Sequence, residues 1–263
     1  MPQKRKKISK NKEKIFGICR LCKENKELSF EHFPPSSAYN KNTKYFSIPH
    51  DEYFKNTEAE SLLEYKPKGK KHQGGLGDNC LCEDCNNFLG TAYVREYKKW
   101  ASLGMTLINQ DGGDFKACGF TSMEINYLKI LKQIIAIFIC NNRPLFTEIY
   151  PGLIEFVKDE KSTVLPSRYK IYAYLNNEGQ IRTGEIYYTN IYGAVCEFTF
   201  RPFGYVLSID NEQNFENLLE ITGLKDIIDF EKAEIEMILN KYPTFLPFVP
   251  MDYRTKEEIK NCR

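Results

Sequence analysis

Two C-x-x-C pairs constrain this chain more strongly than any other feature. The first pair is Cys19 and Cys22, in "ICRLC", and the second is Cys82 and Cys85, in "LCEDC". Together they supply four thiolates, the number that closes the tetrahedral shell of a structural zinc ion. Cys80 lies beside the second pair and is an alternative ligand. The sequence therefore predicts one zinc site that ties together two segments far apart in the chain.

The composition bears on whether these cysteines are metal ligands or disulfides. Of the 263 residues, 42% are hydrophobic and 27% charged, which is typical of a soluble globular protein. The most apolar run, residues 134–140, is too short to span a bilayer, and no signal-peptide pattern opens the chain. We therefore expect a cytoplasmic protein with no membrane partner, in which clustered cysteines bind metal.

Charge is distributed unevenly along the chain. The net charge is +2, but residues 1–14 carry seven Lys or Arg and one Glu, a local +6 that leaves −4 on the remainder. Such a segment is typical of a disordered basic arm that binds polyanions through their phosphates. A solubilising tail or a localisation signal is the alternative.

Beyond the arm, the chain divides into two regions of different character. Residues 15–110 are rich in Cys, Gly, Lys and Asn, and the polar stretch Asn109–Phe115 marks a soft boundary. Residues 121–263 form the second region. Within it, Ser122–Asn141 has apolar residues at helical spacing and further isoleucines between them, which predicts a buried central helix.

Strand and turn signals alternate after this helix. Runs rich in Tyr, Ile, Val and Phe are separated by "NNEG", "NIYG" and "RPFG", which predicts an antiparallel meander. Its strands are predicted at Tyr169–Leu175, Gln180–Thr189, Ala194–Phe200 and Tyr205–Asp210. The segments "NFENLLEITGL" and "DFEKAEIEMILNKY" are predicted to be terminal helices. The expected fold class is α+β: a zinc-stapled module followed by an accessory domain with a buried helix and a small antiparallel sheet.

Between the cysteine pairs lies Glu31-His32, followed by two prolines, and Asn86 comes directly after Cys85. The order is C-x-x-C, strand, Glu-His-x-Pro, a long loop, a glycine-rich turn, C-x-x-C-Asn and a helix. Over about residues 15–105, roughly a third of the chain, this order resembles the HNH endonucleases, the zinc-containing branch of the ββα-metal nucleases. The resemblance implies a treble-clef-like ββα-metal fold and metal-dependent hydrolysis of phosphodiester bonds, with DNA favoured over RNA.

The resemblance also implies individual roles. Glu31 and Asn86 would bind a catalytic divalent cation, and His32 would be the general base that deprotonates water. Oxygen ligands suit Mg or Mn, while the zinc would be structural. The middle asparagine of the family pattern falls at Gly77, with Asn79 displaced, so a backbone carbonyl could orient the His32 ring instead.

Each of these roles has a structural alternative. Glu31 could pair with a lysine, Asn86 could cap its helix, and His32 could be a polar residue at a strand edge. Basic side chains that could contact nucleic acid, or simply form solvated faces, are Lys68, Lys70, Lys71, His72 and Arg95. Two rival hypotheses remain: a zinc-knuckle module that binds nucleic acid without cutting it, and a function residing in the arm. The second region is expected to regulate, target or oligomerise the protein, through a second copy or a regulatory partner.

Overall fold

The structure is a computed structural model that describes residues 14–47, 69–110, 117–122, 124–177, 181–215, 217–227 and 235–241. The basic arm up to residue 13 and Lys68 lie outside the described residues.

The region that contains the cysteine pairs consists of small antiparallel sheets followed by two helices. Its elements are β1 (Ile15–Ile18), β2 (Asn25–His32), β3 (Tyr45–Ser47), β4 (Lys70–His72), β5 (Gly77–Cys82), α1 (Glu83–Ala92) and α2 (Val94–Gln110). One sheet has the order β1-β2-β5, and β3 pairs with β4 in the connection between β2 and β5. Helix α1 starts directly after β5, and the acidic Glu83 and Asp84 in its first turn suit the positive end of the helix dipole.

The second region combines helices with a larger antiparallel sheet. Its elements are β6 (Ala117–Ser122), α3 (Tyr127–Asn141), α4 (Pro144–Ile149), α5 (Pro151–Lys158), β7 (Tyr169–Leu175), β8 (Arg182–Thr183), β9 (Tyr187–Thr189), β10 (Gly193–Phe200), β11 (Phe203–Ile209), β12 (Leu219–Glu220) and β13 (Ile235–Asn240). The sheet order is β12-β7-β11-β10-β8, with β9 also paired to β10, and β6 pairs with β13. The predicted α+β class is confirmed, and the predicted strands lie in one antiparallel sheet. The predicted meander is wrong in its order, because β7 pairs with β11 and not with the strand that follows it in the chain. The single strand predicted at Gln180–Thr189 is instead two short strands, β8 and β9.

Helix α3 is the predicted central helix. The side chain of Asn126 caps it by accepting a hydrogen bond from the backbone N–H of Lys129, and nearly every residue of the helix is buried. It is buried on nearly every side because it packs against both α2 and α5 as well as against the large sheet. Lys132, a buried polar residue of this helix, donates hydrogen bonds to the backbone oxygens of Phe156 and Asp159. No helix in the described part of the chain has both the length and the apolar character needed to cross a membrane.

The two predicted terminal helices are wrong where the structure describes them. "NFENLLEITGL" contains β12, and its last three residues begin a short 3-10 turn at Thr222–Asp226. In "DFEKAEIEMILNKY", the last part is β13, in which Met237 and Leu239 are buried while Ile238 between them is 60% exposed. This period of two is that of a strand, and pairing with β6 satisfies its backbone hydrogen bonds.

One hydrophobic cluster contains described residues of both predicted regions. Trp100 of α2 stacks on Phe203 of β11 at 4.6 Å between ring centroids, and its Nε1 donates to the Tyr205 hydroxyl at 2.9 Å. A Cβ at Gly104 would lie 2.4 Å from the Phe203 ring, so this close approach of α2 to β11 requires glycine. The division into domains of residues 15–110 and 121–263 stays a prediction, and the two parts share a core.

Candidate functional site

Four cysteine sulfur atoms converge at the start of α1. The Sγ atoms of Cys19, Cys22, Cys82 and Cys85 all lie within 4.8 Å of one another. Cys22 Sγ and Cys82 Sγ are 3.9 Å apart, close to the edge of about 3.8 Å of a tetrahedron with zinc–sulfur bonds of about 2.3 Å. The group could therefore hold a metal ion such as zinc.

Local backbone structure brings each pair into this cluster. In the turn between β1 and β2, the Cys19 N–H donates to Glu24 O at 2.9 Å, and Lys23 adopts a positive φ of 69° that turns the chain back. The Arg20 N–H donates to Cys80 O at 2.9 Å and fastens this turn to β5. The second pair occupies the N-cap position and the first turn of α1. The cysteine cluster therefore joins the turn between β1 and β2 to the start of α1.

The thiols of this cluster compete for protons. A hydrogen bond with Cys85 lowers the pKa of Cys19 to about 4, and the same contact raises the pKa of Cys85. The Cys82 N–H donates to Cys19 Sγ at 3.3 Å, which also favours a thiolate at Cys19. Four thiolates this close repel one another, so they can all ionise only around a cation. The donor set therefore fits a thiophilic ion such as zinc.

The alternative ligand Cys80 is not a member of this cluster. It is buried on β5 and hydrogen-bonds with Cys140, and this contact, with burial, raises the pKa of Cys140. Cys82 therefore supplies the third sulfur atom. Cys140 and Cys196 are buried as small apolar side chains, as expected for cysteines outside a metal site.

His32 ends β2 beside the glycine-rich turn that precedes β5. Its Nε2 lies 3.0 Å from Gly74 O, so a neutral ring that donates there carries its proton on Nε2 and leaves Nδ1 as an acceptor. A Cβ at Gly75, where φ is +104°, would lie 2.7 Å from the His32 ring, so only glycine fits. A backbone carbonyl thus orients the ring, as the displaced Asn79 led us to expect.

Asn86 lies in α1 and faces β2. Its Nδ2 donates to Ser29 Oγ at 3.0 Å and to Phe30 O at 3.3 Å, next to the irregularity in the β2-β5 register at Ser29 and Phe30. The N-cap position belongs to Cys82, so the capping alternative for Asn86 is wrong. Its Oδ1 makes no hydrogen bond within the described residues and is the atom that could bind a cation.

A cavity of about 720 Å³ opens beside Asn86. Lys14, Lys26 and Asn87 line it together with Ser29, at the edge of the sheet where α1 begins. Lys14, the one described residue of the basic arm, also pairs with Glu27 at 2.6 Å. His32 is not part of this lining. The cavity therefore extends from Asn86 to Lys14, the residue at the end of the basic arm.

Glu31 lies on the opposite face of β2 from His32. Successive strand residues alternate in direction, and Phe30 shares the His32 face, with 4.9 Å between their ring centroids. The Glu31 side chain is 8% exposed, and burial raises its pKa to about 7. Its charge acts on the buried Cys140, which places it towards α3. The structure does not bring Glu31 together with His32, and its ligand role stays a prediction.

The predicted nucleic-acid contacts occupy two places. Lys70 and Lys71 are exposed on β4. His72 is half-buried on β4, and its ring stacks on that of its register partner Tyr45 with 4.7 Å between centroids. Arg95 is exposed on α2. Contact of these residues with nucleic acid stays a prediction.

Two exposed aromatic residues of this region were not predicted from the sequence. Phe30 and Phe46 both lie on strands with their rings turned to solvent. An alternation of apolar and polar residues does not reveal which face of a short strand is covered, so the sequence carried no clear signal for them.

Comparison of this chain with protein-family models, with curated proteins and with solved structures finds no match. A functional interpretation therefore depends on the geometry of the cysteine cluster and of the His32 strand end.

Proposed function

We propose that this protein is a metal-dependent endonuclease of the HNH type, which hydrolyses phosphodiester bonds in DNA. The observation that carries the proposal is the position of His32, whose Nε2 lies 3.0 Å from Gly74 O, so that a ring donating there presents Nδ1 as the acceptor. His32 is the last residue of β2, and β2, β5 and α1 follow one another along the chain. The four cysteines join the turn before β2 to the start of α1. This combination supports the sequence resemblance, because the base, the helix and the structural metal occur in the order that the family uses.

His32 would act as the general base. Its Nδ1 takes a proton from the attacking water, while Nε2–H continues to donate to Gly74 O and stabilises the imidazolium that forms. The neighbouring glycines keep the carbonyl close to the ring, so the tautomer is fixed before the substrate binds.

Asn86 would hold the catalytic cation through Oδ1, because its Nδ2 is already used by Ser29 and Phe30. Mg or Mn keeps several waters and needs few protein ligands, so one amide oxygen and substrate phosphates suit it. When bound, the cation would offset charge on the phosphate and on the leaving oxygen. Glu31 would join it only if the end of β2 rearranged, since its carboxyl is buried on the other face.

The ion in the cysteine cluster is proposed to be a structural zinc. Four sulfur ligands leave no open position for water or substrate, so this ion would hold the β1–β2 turn to α1 and take no part in the chemistry. The second region, residues 121–263, is proposed to regulate or target the nuclease.

A second candidate function is a zinc-knuckle module that binds nucleic acid without cutting it. The position of Glu31 favours this candidate, because a cation beside His32 would lack the carboxylate ligand of the family pattern. Cleavage distinguishes the two candidates directly.

The test is nicking of supercoiled plasmid DNA by the full-length protein, with Mg or Mn added and then removed by chelation. His32→Ala should retain zinc and DNA binding while its cleavage rate falls by about 10²–10⁴, the contribution of a general base. His32→Gln is the matched variant: its amide can still donate to Gly74 O but cannot take the proton, so it should be equally slow. If wild type cuts no DNA with either cation, or if His32→Gln cuts as fast as wild type, the binding module replaces the nuclease.

A further inference from the structure

Two phenylalanine side chains are exposed close to His32. Phe46 of β3 is 68% exposed and Phe30 of β2 is 45% exposed. The Phe30 ring stands edge-on to the His32 ring, with 4.9 Å between their centroids. Single exposed apolar side chains are common on protein surfaces, so these rings indicate a binding surface only in combination with the charged residues around them.

The small β3-β4 sheet that carries Phe46 leads directly to His32. Phe46 is the register partner of Lys71, so these two side chains share one face. Three residues after Lys71, Gly74 provides the carbonyl that holds His32. That length of chain spans at most about 11 Å, and stacked nucleotides rise about 3.4 Å each. A strand bound at Phe46 could therefore reach His32 within about three nucleotides.

The opposite face of the β3-β4 sheet is occupied by its own side chains. Tyr45 and His72 stack with an angle of 6° between their rings, and Ser47 Oγ lies 2.7 Å from His72 Nε2. These contacts hold the sheet together without Phe46. The ring of Phe46 is therefore available to a ligand.

Lysines are the most frequent charged residues in the described chain around Phe46, and Asp78 on β5 is the carboxylate that acts on the neighbouring Tyr45. Residues 33–47 and 69–77 contain four lysines and no Asp or Glu. All four are exposed, and none forms an ion pair with a carboxylate of the described residues; they are Lys41, Lys44, Lys70 and Lys71. Exposed aromatic rings beside exposed lysines suit a ligand that combines negative charge with flat faces, and a nucleic-acid strand has both.

We propose that Phe30, Phe46, Lys41, Lys44 and Lys71 form a binding surface for single-stranded DNA, hereafter the Phe46 surface; Lys70 is left out because its register partner Ser47 places it on the opposite face of the β3-β4 sheet. Phe46 stacks on an unpaired base and the lysines contact phosphates. A base within a duplex offers no free face to a side chain, whereas an unpaired base does. This inference rests on the proposed function and deepens it: the nuclease prefers single-stranded or locally unpaired DNA over intact duplex.

The test measures binding of the full-length protein to one labelled DNA sequence, as a single strand and as a duplex, without added divalent cation. Phe46→Ala should weaken single-strand binding by about 5- to 150-fold, the effect of losing one base–aromatic stack, and leave the salt dependence unchanged. Lys71→Ala should instead reduce the salt slope by about 0.7, because one phosphate contact is lost. Phe46→Trp should retain binding, since indole also stacks.

The matched control is Phe16→Ala. Phe16 is 67% exposed on β1, like Phe46, but its register partner is the acidic Glu27, so this variant should bind as wild type does. Equal affinity for single strand and duplex, or equal losses for the two alanine variants, would overturn the proposal. Tighter binding of the corresponding RNA strand would overturn the choice of DNA.

Binding and cleavage are scored separately, so the two proposals fail in different ways. If His32→Ala cuts as well as wild type while Phe46→Ala loses single-strand binding, the nuclease is wrong and the Phe46 surface stands. If His32→Ala is inactive while Phe46→Ala binds normally, the nuclease stands and the Phe46 surface is wrong.

Discussion

The buried carboxyl of Glu31 should make the stability of this protein depend on pH. Its pKa rises from 4.5 to about 7 because burial removes water from the charged form. Between these values the folded state holds a proton that the unfolded state has released, so the stabilisation present at low pH is lost as pH rises through about 7. At about 1.4 kcal/mol for each pKa unit, the total is about 3 kcal/mol, of which about 2 kcal/mol falls between about pH 5.5 and pH 8.

The substitution Glu31→Gln removes this ionisation while keeping the size of the side chain. We expect the variant to gain stability relative to wild type by about 2 kcal/mol as pH is raised over that interval. Urea unfolding of both proteins at the two pH values measures the difference. The cysteine cluster contributes a pH dependence of its own, but it is common to both proteins and cancels in the comparison.

Glu27→Gln is the matched control, because Glu27 lies on the same strand with its side chain 47% exposed. It should show no such gain. The measurement also bears on function: if Glu31 binds a cation, added Mg or Mn will favour its charged form and reduce the difference between wild type and Glu31→Gln. If the free energy of unfolding of Glu31→Gln and that of wild type change by the same amount between the two pH values, burial does not raise the pKa of this carboxyl and the placement of Glu31 is wrong.

Two further predictions concern the fold. Cys19→Ser should release one zinc per chain and unfold the cysteine region, because a structural zinc contributes folding energy directly. Cys196→Ser is the control and should retain the metal. Elemental analysis of the purified proteins measures the zinc, far-UV circular dichroism measures the folding, and wild type without zinc would refute the site. Gly104→Ala should destabilise the protein by about 1–3 kcal/mol in urea unfolding, because its Cβ would lie 2.4 Å from an aromatic ring of β11. Gly90→Ala on α1 meets nothing within 4 Å and should stabilise by up to about 1 kcal/mol, so a loss there equal to that at Gly104 would contradict the packing argument.

The sequence by itself determined the features that depend on local spacing. A C-x-x-C turn brings its own two sulfur atoms together, so the four thiols identified a candidate metal site without knowledge of the fold. Helix α3 was predictable because apolar residues that surround a helix on every side require burial on every side. The strand pattern of β7, β10 and β11 was predictable because each is bounded by turn residues.

Tertiary structure decided everything that depends on which face is covered. "IEMILN" was predicted to be part of a helix, and its pairing with β6 makes it a strand. Glu31 was predicted to bind the cation beside the general base His32, but the two side chains point to opposite faces of β2, so that Glu31 is buried and His32 faces the glycine-rich turn. The exposure of Phe46 had no signal in the sequence, because it depends on the pairing of β3 with β4, a strand that follows some twenty residues later in the chain. Side-chain direction along a strand is fixed by pairing partners, and those partners are distant in sequence.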